Sequence, residues 1–322
     1  MKTSLLSAGA ALATCAAGLL IPYGGASAAP GTAAPSASDV TTPSDVREVS
    51  PDAKYSTKEL GRVNAQSRRS SLAAAATPPV GTVRQWLGLD DANGALYRKD
   101  YTLRGVGDKI EVWVANDTAF LPEDCRNQVA NTTTITDAQV ARLITEFDGN
   151  MYPKETAAFS TPPDRDGSNA LLGPDRNGNG GDYTGDGDKT VALIDNVRDD
   201  NYYDFPAAST YIAGFFSAQF NELLDRNVMT IDAYDWAHRT GDNPPDASTS
   251  DPCTSRPARP NLYEGTFAHE WQHLLHHYTD PFETNWINEG LSDFAQTLVG
   301  YVDATKTVDQ PGADMNSVPK RS

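Results

Sequence analysis

The chain contains 322 residues, 39% of them hydrophobic, and its 26 basic and 43 acidic side chains give a formal net charge of −17. Such an acidic chain is not expected to bind nucleic acid or an anionic lipid surface, because contacts with phosphates require a basic face. Its hydrophobic content is sufficient for a folded core, which excludes wholesale disorder. After the N-terminal region no apolar run approaches the roughly 20 residues that cross a bilayer, so no membrane span is predicted.

The first 28 residues have the layout of a secretory signal peptide. Lys2 precedes an apolar stretch over residues 5–21, and a small-residue run, Ala-Ser-Ala, ends at Ala28. Signal peptides show charge, hydrophobic core and small-residue cleavage site in this order, whereas a buried first helix, the alternative, has no need of the small residues. We therefore expect residues 1–28 to be removed and the mature protein to be secreted and extracellular.

Residues 29–79 are dominated by Ala, Pro, Ser and Thr and contain few large apolar side chains. A stretch of this composition buries too little surface to form a core. It is interpreted as a linker or as a pro-segment, and a pro-segment implies autoinhibition of the domain that follows. The folded domain is predicted to span residues 80–304, and residues 305–322 form a polar tail or the end of a truncated chain.

The chain contains three cysteines, and Cys15 lies within the expected signal peptide. Removal of that peptide leaves Cys125 and Cys253 in the mature protein. An even pair in an oxidising compartment predicts one disulfide that closes a long loop. Two free buried thiols are the alternative.

Hydrophobic periodicity predicts both strands and helices in the domain. Residues 109–114 alternate polar and apolar side chains, the pattern of a half-buried strand. Residues 190–194 form a nearly continuous apolar run, which is typical of an interior strand. Apolar positions recur at helical spacing over residues 136–147 and 211–224. Strands and helices therefore mix, which indicates an α/β or α+β body.

An acidic loop over residues 175–186 has the ligand spacing of a calcium site. Oxygen-bearing side chains stand at the first, third, fifth and twelfth positions, which are Asp175, Asn177, Asn179 and Asp186. Calcium loops place ligands at these positions around a glycine turn, although they usually end in Glu. A calcium site and a flexible acidic loop without metal are equally good interpretations.

The motif with the strongest chemical implication is His269-Glu270-Trp271-Gln272-His273. Two histidines at this spacing project from one helical face and can bind zinc, while the intervening Glu270 points toward the water on the metal. The apolar residues of the helix form a stripe nearly opposite the histidines, and they are Phe267, Trp271, Leu274 and Tyr278. Histidines of a packed core, the alternative, would lie within that stripe.

Two imidazoles leave a tetrahedral zinc ion short of a third protein ligand. Glu289 is the candidate, on a second helix that residues 280–283 (Asp-Pro-Phe-Glu) are expected to start with an N-cap and a first-turn proline. Apolar residues at helical spacing predict how this helix packs, and they are Phe282, Trp286, Leu291, Phe294 and Leu298. Asp293, one turn after Glu289, can accept a hydrogen bond from the outer nitrogen of a zinc-bound histidine.

Residues 263–301, an HExxH helix followed by Asn-Glu-Gly-x-x-Asp, resemble the active-site core of the gluzincin metalloproteases, the thermolysin-like zincins. The contexts Phe-Ala-His-Glu-Trp-Gln-His (267–273) and Trp-Ile-Asn-Glu-Gly (286–290) are especially similar to secreted bacterial proteases of the immune inhibitor A-like type. The resemblance implies an α+β, zincin-like catalytic domain with a mixed β-sheet, in which the HExxH helix precedes a helix that carries the ligand glutamate.

The same resemblance assigns roles to individual residues. It implies zinc ligation by His269, His273 and Glu289, with Glu270 as the general base. The Gly-x-Met-Glu-Asn signature of gluzincin aminopeptidases is absent from the chain, which favours endopeptidase activity.

The sequence is therefore consistent with two functions. The first is a secreted zinc endopeptidase that hydrolyses protein or peptide substrates with zinc-activated water. The alternative is a catalytically inactive, metal-stabilised extracellular binding module. Glu270 favours the enzyme, because a structural zinc site needs no general base and usually fills its fourth position with protein.

Overall fold

The computed structural model describes residues 46–61, 63 and 76–302. The predicted signal peptide (1–28) and polar tail (305–322) lie outside the described residues. The strands are β1 (Val83–Asp90), β2 (Ala95–Val106), β3 (Ile110–Ala115), β4 (Thr190–Asp195), β5 (Gly214–Phe216) and β6 (Val228–Asp232). The α-helices are α1 (Asp137–Glu146), α2 (Tyr152–Ala158), α3 (Asp200–Asp204), α4 (Ala218–Leu224), α5 (Trp236–Arg239), α6 (Leu262–Thr279) and α7 (Asn285–Val299).

The fold is mixed α+β, built around one mixed sheet of six strands in the order β1-β2-β3-β4-β6-β5. Strands β1, β2 and β3 are antiparallel, the central strands β3, β4 and β6 are parallel, and β5 returns antiparallel to β6 at the edge. Helix α6 lies against β5, β6 and α7. None of the helices in the described ranges is long and apolar enough to cross a membrane.

Both faces of the sheet are covered, which decides the burial of its central strands. Val112 and Ile194 face one core cluster, which contains the apolar side of α6, and their neighbours Trp113 and Leu193 face the other. The prediction of an interior strand over residues 190–194 is confirmed.

The strand predicted over residues 109–114 is confirmed as β3, but its expected half-burial is wrong, because every residue of β3 is buried. Its polar side chain, Glu111, is fully buried and pairs with Arg226 at 3.1 Å between Oε1 and Nη2. An ion pair inside the core thus accounts for the polar position in the alternating pattern.

Two predicted helices outside the motif region had different outcomes. The helix over residues 136–147 is confirmed as α1, with Thr136 and Gln139 forming a capping box at its start. The continuous helix over residues 211–224 is wrong, because Gly214–Phe216 is the edge strand and only α4 is helical. Gly214 lies so close to β6 that a Cβ there would come within 2.7 Å of Ile231 Cδ1, so tertiary packing determines this conformation.

Helix α7 differs from its prediction in both its start and its packed face. It begins at Asn285 after the N-cap Thr284, while Asp280 is the C-cap of α6. Three of the apolar residues expected to pack are exposed, namely Phe282 (94%), Trp286 (76%) and Phe294 (51%). The side turned inward is largely polar and consists of Glu289, Ser292, Ala295, Gln296 and Val299.

The predicted disulfide is confirmed. Cys125 and Cys253 are joined with an S–S distance of 2.05 Å. The bond links the short 3-10 helix Cys125–Gln128 to the loop that precedes α6. It closes a loop with a sequence separation of 128 residues.

Candidate metal centre

Helix α6 carries two of the predicted ligands on the side away from its packed face. Phe267, Trp271 and Leu274 are fully buried, which confirms the predicted apolar stripe. Both Phe267 and Trp271 meet the ring of Phe147 edge-on, with centroids 5.3 and 5.1 Å apart. Because this packing fixes the rotation of the helix about its axis, the two histidines of the motif face α7.

Three side chains from α6 and α7 converge. Nε2 of His269 lies 3.1 Å from Nε2 of His273. Oε2 of Glu289 lies 3.5 Å from the first of these nitrogens and 3.4 Å from the second. In a tetrahedral zinc site with bonds of about 2.1 Å, ligand atoms are about 3.4 Å apart. The three atoms therefore match three corners of such a site, and the sequence-predicted ligand set is brought together.

The outer nitrogen of His273 is held by residues of α7. Nδ1 lies 3.1 Å from Asn288 Oδ1 and 3.0 Å from Ser292 Oγ. The Ser292 hydroxyl donates its own proton to the carbonyl of the Gln272 side chain or of the Asn288 backbone. Both neighbours can thus accept from His273, so Nδ1 carries the proton and Nε2 presents a lone pair.

The outer nitrogen of His269 faces Asp293, as the sequence analysis expected. Nδ1 lies 3.3 Å from Asp293 Oδ1 and 3.2 Å from the Gln296 amide nitrogen. The carboxylate can only accept from Nδ1 and the amide N–H can only donate to it, so these two neighbours favour opposite states of that nitrogen. The hydrogen bond with Asp293 that raises the pKa of His269 favours a proton on Nδ1. Both Nε2 lone pairs then point toward the Glu289 carboxylate. Three electron-pair donors at this separation repel one another unless they share a cation.

In the metal-free protein, a proton can serve as that shared cation. Burial opposes the charged form of His269, but hydrogen bonds with Asp293 and Glu289 outweigh it and raise its pKa to about 10. Burial also opposes the Glu289 carboxylate, yet hydrogen bonds with His269 and His273 lower its pKa to about 2. Burial lowers the pKa of His273. The cluster therefore favours one positive charge beside an ionised carboxylate.

Glu270 lies beside the cluster and is anchored to the sheet. Its side chain is buried, and Oε2 accepts a hydrogen bond of 2.8 Å from the backbone N–H of Phe216 in β5. Burial raises the pKa of Glu270 to about 7, although the charge of His269 and the Phe216 hydrogen bond oppose that rise. A carboxyl group with such a pKa can both accept and deliver a proton near neutrality.

The structure also brings Glu48 to the cluster, a residue that sequence reasoning missed. Its Oε1 lies 3.7 Å from His269 Nε2. Glu48, His269 and Asp293 form a second group whose possible ligand atoms all lie within 4.8 Å of one another. An isolated acidic residue in the polar stretch 29–79 has no spacing motif, so no signal in the sequence pointed to it.

The acidic loop forms hydrogen bonds within itself. Asp175 Oδ1 accepts from the backbone N–H groups of Asn177 and Asn179, both at 2.8 Å. Asp186 Oδ1 accepts from the N–H of Asp188 at 3.2 Å. Within the described ranges, the groups of three or more His, Cys, Asp or Glu that could hold a metal lie at α6 and α7, not in this loop. Calcium binding there stays a prediction.

Comparison with known proteins adds no assignment to this geometry. Neither the models of known protein families nor the curated proteins contain a match to the chain. The site is therefore characterised by its own atoms, which are two imidazole nitrogens and a carboxylate oxygen with a buried acid beside them.

Proposed function

We propose that the protein is a secreted, zinc-dependent endopeptidase with a zincin-like catalytic domain. The observation that carries this proposal is the triangle formed by His269 Nε2, His273 Nε2 and Glu289 Oε2, with sides of 3.1, 3.4 and 3.5 Å. A donor set of two imidazoles and one carboxylate is typical of catalytic zinc, which keeps a fourth position for water or substrate. The outward hydrogen bonds of both imidazoles support the same assignment.

The chain's own residues supply the proton transfers. Zinc, when bound at these ligands, supplies a Lewis acid that acidifies water and polarises the peptide carbonyl. Glu270 accepts the proton that the attacking water loses and delivers it to the leaving amine. The Phe216 N–H holds one carboxylate oxygen of Glu270, which leaves the other oxygen for proton transfer. Asp293, Asn288 and Ser292 keep the imidazoles oriented.

One observation favours the alternative, a catalytically inactive metal-stabilised binding module. Structural zinc sites fill the fourth position with protein, and the Glu48 carboxylate lies 3.7 Å from His269 Nε2. Glu270 still distinguishes the two functions, because a structural site has no use for a buried carboxyl group beside the ligands.

Metal analysis and a cleavage assay on the Glu270→Gln variant test the proposal. We expect the wild-type protein to contain about one zinc ion per chain and to cleave casein once the N-terminal segment has been removed. Glu270→Gln is expected to keep its zinc and to lose about 10²–10⁴-fold of the cleavage rate, the usual contribution of a general base. Glu123→Gln, at an exposed position, is the matched control. Zinc-loaded protein that cleaves nothing, even after processing, would establish the binding module instead.

A further inference from the structure

Helix α2 buries a carboxyl group that the proposed mechanism does not use. Glu155 lies on this helix, which packs against α7. Tyr152, on the same helix, contacts the ring of Trp271 on α6, with centroids 5.9 Å apart. The Glu155 side chain has an exposed fraction of 0%. An acid is therefore fully buried on the helix that contacts both of the helices that carry the ligand triangle.

Both carboxyl oxygens of Glu155 are buried without a hydrogen-bond partner, and no other carboxyl group of the described residues shares this situation. Two other buried glutamates are paired, Glu111 with Arg226 at 3.1 Å and Glu264 with Arg142 at 2.9 Å. Burial of a polar group without a partner opposes folding. A fold that keeps such a group near a metal centre indicates a function for it.

The surroundings of Glu155 favour its protonated form in the metal-free protein. Burial raises its pKa well above the ordinary value of 4.5. The charge of His269 opposes this rise, so the carboxyl group lies within electrostatic range of the metal centre. No hydrogen bond joins the two residues. Positive charge at the metal centre therefore acts on Glu155 through space and favours its ionised form.

A divalent cation at the ligand triangle faces too little buried negative charge. Of its three ligands, only Glu289 supplies a carboxylate. Asp293 and Glu48 carry carboxylates nearby, but 29% and 28% of their side-chain surface is exposed, so water screens them. Glu270 gains and loses a proton in the proposed reaction, so its charge is not constant. One positive charge is left in excess, which is costly in a buried site.

We propose that Glu155 supplies the missing negative charge and is a charge-balancing residue of the metal centre, although it touches neither metal nor substrate. It holds a proton in the metal-free protein and loses it when the divalent cation binds. The O–H bond breaks, its electron pair stays on the carboxylate, and the proton passes to solvent. This inference rests on the proposed function, because it concerns the same metal centre.

Proton release on zinc binding tests the proposal on the full-length chain. Titration of the metal-free protein with Zn²⁺ at neutral pH, by calorimetry in buffers of different ionisation enthalpy, gives the number of protons released per zinc. We expect Glu155→Gln and Glu155→Met to release about one proton fewer than the wild type and to bind zinc at least about tenfold more weakly. Glu222→Gln, at an exposed position of α4, is the matched control and should behave as the wild type.

The stability of the metal-free protein provides a readout with the opposite sign. Glu155→Met replaces an unpartnered polar group by an apolar side chain of similar length and high helix propensity, so its Tm should exceed that of the wild type. Higher stability without zinc, together with weaker zinc binding, is the result expected of a carboxyl group that serves the metal rather than the fold. Proton release and zinc affinity equal to those of the wild type in both variants would overturn this inference and leave the proposed function standing. A wild-type chain that binds no zinc would overturn the proposed function itself.

Discussion

The α6/α7 cluster and the acidic loop over residues 175–186 both carry metal-ligand patterns, yet the fold treats them differently. At the cluster, Asn288, Ser292 and Asp293 accept hydrogen bonds from the outer nitrogens of the two imidazoles, so the inner atoms of the ligands face one another. In the loop, the Asp175 carboxylate is held by the backbone of its own turn. A sequence motif shows which atoms can bind a metal, whereas the neighbours determine which atoms are kept for it.

This difference predicts unequal dependence on metal. The cluster joins two helices, and its donors repel one another without a cation, so metal binding should be strong and linked to protonation. The loop closes through its own hydrogen bonds, so calcium should add little to its order. The predictions that follow use the loop as the internal reference for the cluster.

The largest expected effect is the loss of zinc from the His273→Ala variant. Removal of one of three ligands should lower the zinc content from about one ion per chain to near zero and abolish cleavage. His277→Ala is the matched control, since it changes the same residue type one turn further along α6, where the ring contacts Phe216 and Tyr278. Atomic absorption after dialysis measures both variants. If His277→Ala lost its zinc while His273→Ala kept it, the ligand would be His277 and the assignment of His273 would be wrong.

The second prediction concerns pH. The metal-free fold raises the pKa of His269 to about 10, compared with 6.5 as its ordinary value. Between these values the fold holds a proton that the unfolded chain has lost, so this contribution to stability is complete below pH 6.5 and is lost as the pH rises to about 10. The stability of the EDTA-treated protein should fall over that window.

Zinc competes for the same site as this proton, so release of the proton should raise the apparent zinc affinity by about tenfold per pH unit through that window. The loop provides the contrast. Backbone hydrogen bonds from Asn179 and Asn177 lower the pKa of Asp175, so calcium affinity should not change above neutrality. Competition titrations with a chelator, performed for both metals at several pH values, measure the two slopes. If the affinities for zinc and calcium changed equally with pH, the distinction between the α6/α7 cluster and the acidic loop would be wrong.

The third prediction addresses the support of the imidazoles. Ser292→Ala removes an acceptor 3.0 Å from His273 Nδ1 and should weaken zinc binding about 10–100-fold, the usual effect of losing such a partner. Ser160→Ala is the control, because that hydroxyl donates to Leu275 O near the far end of α6 and is no part of the cluster. Zinc affinity by competition with a chelator should separate the two variants. Equal affinities would mean that Asn288 alone orients the ring.

The α6 side of the site was predictable from the sequence because the apolar stripe of this helix allows one rotation of the helix about its axis. Phe267, Trp271 and Leu274 fix the rotation of the helix, and with it the direction of both histidines. Glu289 followed from the need for a third ligand rather than from packing. The apolar positions expected to dock its helix are largely exposed, and the inner face of α7 is polar because it supports the imidazoles.

Other features depend on contacts that are distant in sequence. Asp280 and Pro281 fit the start of a helix as well as the turn that ends α6, and only the three-dimensional structure selects the turn. Strand β5 resembles helix in its apolar spacing, yet pairing with β6 determines its conformation. Glu48 reaches the metal centre because Val49 and Pro51 are buried beside it, which a composition argument does not detect.

The smallest expected effect belongs to calcium in the acidic loop. Extracellular calcium sites have dissociation constants of about 10⁻⁴–10⁻³ M. Calcium at about ten times its dissociation constant should therefore stabilise the fold by about 1.4 kcal/mol. For a domain of this size that corresponds to a rise in Tm of about 3–6 °C. Asp175→Asn should remove the rise, whereas Asp251→Asn, on another loop, should keep it. A rise that persists in Asp175→Asn would place the calcium elsewhere, and no rise in the wild type would leave the loop as a turn held by its own backbone.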